Sequence, residues 1–76
     1  MQAMQTSPVK LLDVVALLED QSAEGLVAGQ VGTVVEVLAP GVFEVEFLDS
    51  RGRTAALAEL KREQLLLLKH QASVAA

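Results

Sequence analysis

A chain of 76 residues is long enough for one small domain near the lower limit for unaided folding, and the absence of cysteine excludes disulfides, thiolate metal sites and thiol catalysis. Its formal net charge is −4, with eight acidic residues and no Lys or Arg between Leu11 and Ser50. Because affinity for nucleic acids comes largely from cations that neutralise phosphates, this distribution argues against DNA or RNA and favours another protein with a basic surface as the partner.

The N-terminal third is predicted to contain one strand. Residues 1–10 are polar and aperiodic and are expected to form a flexible arm. No segment has the roughly 20 apolar residues that span a bilayer, so no membrane partner and a cytoplasmic location are expected. The segment LLDVVALLED, residues 11–20, is predicted to be a strand because Val14 and Val15 favour extended structure. A loop of about ten residues follows, from which Leu26 is expected to fold back onto the core.

The clearest pattern lies in the segment VFEVEF, where apolar and acidic residues alternate with the period of a half-buried strand. Phe43, Val45 and Phe47 are predicted to face the core, which leaves Glu44 and Glu46 facing solvent. The rest of the predicted core comes from two preceding strands: Val15, Leu17, Val35 and Val37.

Turn residues on both sides of this strand predict a three-strand meander. The preceding segment VGTVVEVL is apolar on both faces, and Gly32 within it indicates a bulge, sharp coiling or a close backbone approach. Pro40 and Gly41 occupy the second and third positions of a predicted type II turn. Asp49 and Gly52 are the first and fourth residues of a predicted type I turn followed by a bulge.

The segment TAALAELKREQLLLLKH, residues 54–70, gives conflicting indications. Its strong helix formers and near-helical spacing of leucines favour a helix. The open apolar face of the meander instead favours two further short strands, which would cover exposed edges. The residues alone leave both interpretations open and slightly favour the helix.

The segments LLDVVALLED, GQVGTVVEVL and PGVFEVEF resemble a family of small bacterial proteins known only as domain of unknown function 4926. The resemblance covers residues 11–68. Two parts of it, residues 29–35 and 41–49, are similar to the SH3-like barrels of KOW-type transcription and ribosomal modules and of the nitrile hydratase β subunit. The family has no established activity, and a shared barrel does not imply a shared role.

This resemblance implies an all-β fold, a small five-stranded SH3-like barrel that is partly open, over residues 11–69. It places a fourth strand at residues 53–57, a single helical turn at 59–64 and a fifth strand at 65–68. Residues 70–76 are then a flexible tail. We predict this barrel rather than the helix, because tertiary context commonly overrides the propensity of short segments.

No set of residues indicates an enzyme. His70, the only histidine, lies in the polar tail, and the serines and threonines have no plausible base partner. Gly29 precedes a strand rather than a helix, so no phosphate cradle is expected. Carboxylates on the hairpin could in principle bind a hard cation, but calcium sites usually gather ligands from loops. No catalytic residue, cofactor or metal site is predicted.

The predicted partner-binding residues are the acidic ones of the hairpin: Glu36, Glu44, Glu46 and Asp49. They suggest a protein-interaction module, in a sharper form an antitoxin or immunity-type inhibitor that masks a basic active site. The alternatives are a merely solvated sheet face and an accessory or assembly domain of a larger enzyme. The loops lack the basic residues of KOW-type RNA binders, which argues against RNA.

The run of four leucines at residues 65–68 predicts a second surface. If it is a strand, alternate leucines point to opposite faces, so one pair enters the barrel and the other needs cover. Cover could come from the N-terminal segment, a second subunit or a partner chain. A homodimer through Leu65, Leu66, Leu67 and Leu68 is therefore one expectation.

Overall fold

The computed structural model describes residues 7–68 and shows an all-β protein. Five antiparallel strands form one sheet in the order β4-β3-β2-β1-β5. Their bounds are β1 Val14–Leu17, β2 Val31–Ala39, β3 Val42–Leu48, β4 Thr54–Lys61 and β5 Leu65–Leu67. In the described part of the chain the helical segments are two 3₁₀ turns, Ser22–Glu24 and Arg62–Gln64. The predicted five strands with one short helical turn before the last are confirmed, and the locally favoured helix does not form.

Two strand boundaries differ from the prediction. β1 has four residues rather than ten, because Leu12 lies in a turn in which the Lys10 N–H donates to the Asp13 carboxylate at 2.8 Å. β4 continues to Lys61, so residues 59–61 belong to a strand and not to the helical turn. The reason is burial: Leu60 is 1% exposed and pairs with Phe43, which requires extended backbone at this point.

One face of the sheet forms the core. Phe43, Val45 and Phe47 are buried as predicted, together with Val15 and Leu17. Strand residues Val34, Ala58, Leu60, Leu65 and Leu67 complete the cluster, joined by Val9 and by Leu26, which folds back as expected. No second layer in residues 7–68 covers this face. The sheet therefore curls around its own side chains but does not close, since β4 and β5 remain its edges.

The prediction that Val35 and Val37 are buried is wrong, because they are 37% and 48% exposed. Between the pairs Val34–Val45 and Glu36–Glu44 the register shifts by one, which makes Val35 the extra residue of a bulge. Val37 pairs with Phe43 on the inner face, but β1 pairs with β2 only as far as Thr33. Val37 therefore lacks a strand on its other side, and Val34, fully buried, takes the core position.

Gly32 lies where β2 packs closely against β3. A Cβ atom at this position would lie 2.7 Å from Val45 Cγ1 and 2.8 Å from the Glu46 carbonyl oxygen. Only a residue without a side chain allows this approach, which was one of the three explanations that the sequence offered for Gly32.

The two predicted turns of the meander are present. Gly41 has φ of 74°, the left-handed value that the third position of a type II turn requires. The Gly52 N–H donates to the Asp49 carbonyl oxygen at 3.0 Å, which closes a four-residue turn. Gly52 itself has φ of 80°, as expected for a glycine at the bulge that follows such a turn.

Residues 7–10, which the sequence assigned to the arm, lie against the sheet. Val9 is buried, and the Arg62 guanidinium donates to the Ser7 carbonyl oxygen from Nε at 3.0 Å and from Nη2 at 2.7 Å. Arg62 Nη1 also donates to the Leu65 carbonyl oxygen at 2.9 Å. One cation thus links the N-terminal segment to β5. The remaining predicted arm, residues 1–6, and residues 69–76 with His70 lie outside the described residues.

Candidate functional site

The outer face of β2, β3 and β4 carries a row of carboxylates. Glu36 lies directly opposite Glu44, and Glu44 lies directly opposite Glu59. Paired residues of antiparallel strands project to the same face, with Cβ atoms about 4.5–5.5 Å apart, and like charges in this position are destabilising. We call Glu36, Glu44 and Glu59 the acidic row. Its three charges lie side by side across three neighbouring strands.

Glu46 lies next to the acidic row, two residues along β3 from Glu44. It pairs with Thr33 on β2 and Leu57 on β4, and its carboxylate accepts a hydrogen bond from the Thr54 hydroxyl. Its charge therefore adds to the acidic surface, but its side chain already has a partner within the sheet.

Asp49 is separate from the acidic row and stabilises the turn between β3 and β4. Its Oδ1 accepts hydrogen bonds from the Arg51 N–H at 2.8 Å and the Arg53 N–H at 3.0 Å. Its Oδ2 lies 3.7 Å from Arg53 Nε. Of the four predicted residues, the structure thus brings Glu36, Glu44 and Glu46 together and places Asp49 in a turn.

Glu59 is the member of the row that the sequence did not predict. The segment ELKREQ was assigned to a helical turn, which gave Glu59 no defined face. The signal that would have found it is the alternation within β4, where Ala58 and Leu60 are buried while Leu57, Glu59 and Lys61 are exposed. Strong helix formers obscured this period of two.

No described cation forms a salt bridge with the acidic row. Within residues 7–68 the one salt bridge joins Arg53 to Asp49. The same part of the chain contains no group of three or more His, Cys, Asp or Glu arranged to hold a metal ion. Glu36 and Glu59 are exposed and Glu44 is half-buried, so the row presents its negative charge to solvent.

Beside the acidic surface, the outer face of β1 and β5 is apolar. Ala16 pairs with Val31 on one side and with Leu66 on the other. The Leu68 N–H donates to the Val14 carbonyl oxygen at 3.0 Å, so Leu68 and Val14 continue this apolar surface beyond the last paired residues of β5. We call these residues the apolar patch: Val14, Ala16, Val31, Leu66 and Leu68. Because Leu65 and Leu67 are buried while Leu66 and Leu68 are exposed, the predicted alternation of the four leucines is confirmed.

A groove of about 720 Å³ opens between the N-terminal segment and the strands β1 and β5. Among its described lining residues, the titratable ones are Lys10 and Asp13, and the Asp13 carboxylate is engaged by the Lys10 N–H. Leu12 lines the groove with φ of 73°, a conformation that leucine rarely adopts, and is largely exposed. The groove therefore offers mainly apolar side chains.

Within residues 7–68 no helix is long and apolar enough to cross a membrane.

Comparison with known proteins identifies the family but no characterised relative. No curated protein and no solved structure matches the chain. One family model matches residues 11–67, a span that contains all five strands and the whole acidic row. The chain therefore belongs to the family described as Domain of unknown function (DUF4926).

Proposed function

We propose that this protein is a non-enzymatic interaction module that binds a basic surface of another protein through its acidic row. The observation that supports this proposal is the direct cross-strand register of Glu36, Glu44 and Glu59. Such a row destabilises the free protein through mutual repulsion. A Lys or Arg supplied by a partner relieves that repulsion, so the same charges that weaken the free sheet favour the complex and steer its formation.

The sharper form of the proposal is an antitoxin or immunity-type inhibitor that covers a basic active site in the cytoplasm. A likeness to SH3-like barrels and a bacterial source belong to the same proposal. The likeness is supported by the position of β1 between β2 and β5 and by the 3₁₀ turn before the last strand. The lack of cysteine is consistent with a reducing compartment.

The variant E36Q/E44Q/E59Q is expected to keep the fold and to gain stability. Removing each like-charge pair should stabilise the sheet by about 0.2–1 kcal/mol, because the buried face is untouched. The variant should also associate more slowly with the native partner and show a flatter salt dependence. Thermal melts and on-rates at two salt concentrations measure both effects.

The matched control is E19Q/E24Q/E63Q, which makes the same change in net charge at exposed positions outside the acidic row. The partner is first captured from native lysate with the tagged protein and identified by mass spectrometry. If the row variant and the control bind that partner with the same rate at both salt concentrations, the acidic row is a solvated surface and the proposal fails.

We also propose that the apolar patch supports a homodimer at high concentration. Leu66 and Leu68 are exposed beside Val14 and Val31, and a contiguous apolar patch of this kind commonly marks an association surface. Light scattering over a dilution series should show a dimer for the wild type and a monomer for Leu66→Lys. Leu48→Lys, an exposed position outside the patch, should leave the dimer intact. A wild-type monomer at millimolar concentration would contradict this proposal.

A further inference from the structure

The two edges of the sheet differ in how well they are covered. β5 has three residues, and the Leu65 carbonyl oxygen accepts a hydrogen bond from Arg62. β4 has eight residues and pairs with β3 on one side only. In the described part of the chain, no backbone hydrogen bond other than those to β3 engages residues 54–60. β4 is therefore the long and open edge of this sheet.

The sequence of β4 lacks the usual protection of an edge strand. Proteins prevent unwanted pairing with very short edge strands, prolines, bulges or inward-pointing charges. β4 contains no proline, its inward side chains are apolar, and its one lysine, Lys61, lies at its end. Its register shift with β3 lies at the other end, beside Thr54. The middle of β4 is thus a regular template for another strand.

The acidic row ends at this open edge. Glu59 is its last member, and a strand added to β4 would place a residue directly opposite Glu59, with Cβ atoms about 4.5–5.5 Å apart. The residue two positions further along the added strand, on the same face, would lie opposite Leu57, which is 51% exposed. The complementary segment is extended and carries a Lys or Arg two positions from an apolar residue.

We infer that the edge of β4 accepts an extended strand of a basic partner protein, with a Lys or Arg of that strand opposite Glu59 and an apolar residue opposite Leu57. This inference rests on the proposed function and specifies how the partner binds. Backbone hydrogen bonds to β4 supply affinity, as in other cases of strand addition, and the acidic row selects the charge of the added strand.

A synthetic, end-capped peptide of the sequence Ser-Thr-Val-Thr-Lys-Thr-Val-Thr-Ser serves as the probe. It presents one lysine that is flanked on the same face by two valines. Control peptides carry Glu in place of Lys, or N-methyl groups on the central amides, which abolish strand pairing. Titration of the ¹⁵N-labelled full chain should slow hydrogen exchange at alternate amides of β4 with the lysine peptide, and at none with the N-methylated peptide.

The charge requirement is tested by Glu59→Gln, with Glu63→Gln as the matched control. Both positions are exposed, but Glu63 lies in the 3₁₀ turn outside the acidic row. We expect Glu59→Gln to weaken binding of the lysine peptide about three-fold, the size of one cross-strand ion pair, and Glu63→Gln to leave it within about two-fold. Equal effects of the two substitutions would overturn the inferred register.

The remaining outcomes separate this inference from the proposed function. If the lysine peptide shifts signals of Glu36 and Glu44 without protecting the β4 amides, the edge inference fails and the acidic row still binds basic groups. If the peptide affects neither the acidic row nor β4, the inference fails. The proposed function is then tested only by the binding rates of the row variant and its control with the captured native partner. If the β4 amides gain protection with rising protein concentration and no peptide, the occupant is a second copy, which overturns the inference of a basic partner strand.

Discussion

Phe47→Ala is expected to lower the free energy of unfolding by about 3–5 kcal/mol. Phe47 is one of two aromatic residues in the chain and is 1% exposed. In so small a core the lost ring leaves a cavity that neighbouring strands cannot fill without breaking their pairing. Since a domain has about 5–15 kcal/mol of stability in total, much of it should be lost. Urea denaturation followed by circular dichroism measures the change.

Leu48→Ala is the matched control for Phe47→Ala. Leu48 is the next residue of β3, points to the opposite face and is 54% exposed. Its truncation should change the free energy of unfolding by less than about 0.5 kcal/mol. A loss below about 1 kcal/mol for Phe47→Ala would mean that the inner face of β3 does not form the core.

Gly32→Val is expected to destabilise the protein by about 3 kcal/mol and Gly32→Ala by about 1–3 kcal/mol, because both overpack the core. The added Cβ would meet Val45 Cγ1, the Glu46 carbonyl oxygen and Phe47 Cδ2, all within 2.9 Å. The carbonyl is part of the backbone of β3, so it cannot move without disturbing the pairing of β2 with β3. Denaturant melts of both variants give the two values.

Intrinsic strand propensity predicts the opposite sign for Gly32→Val, since valine is favoured over glycine in strands by up to about 1 kcal/mol. The substitution therefore distinguishes a packing requirement from a backbone preference. Ala39→Val, at the exposed end of β2, adds methyl groups to the same strand without a core contact and should be nearly neutral. A Gly32→Val protein as stable as the wild type would contradict the close approach of β2 and β3.

The sequence predicts β3 well and β2 only in part, for a physical reason. Phe43 and Phe47 alternate with acidic residues, so only one arrangement of faces buries apolar and exposes charged side chains. β2 has valines on both faces, and the choice between them depends on the bulge at Val35. A bulge reverses the inner and outer positions within one strand, and nothing in the local sequence of β2 specifies where that reversal falls.

The candidate site shows the same division. The sequence grouped Glu36 and Glu44 on one acidic surface, but it did not predict that they pair directly. The turn at Pro40 and Gly41 pairs Ala39 with Val42, and only the register shift between Val37 and Ala39 brings Glu36 opposite Glu44. Glu59 joins them only if residues 54–61 are a strand, and their composition favours a helix. The family resemblance supported two strands in this region but ended the first of them at residue 57. The extra length of β4 follows from the burial of Ala58 and Leu60, which is a tertiary effect.

The pairing of β1 with β5 determines how the domain responds to force. Val14 and Leu68 lie side by side at one end of these two strands. Tension along the chain would first have to break the hydrogen bonds of Arg62 to Ser7. It would then separate β1 from β5 one hydrogen bond at a time, rather than shear all of these bonds together. These two short strands are thus expected to part before the longer strands β2, β3 and β4 do.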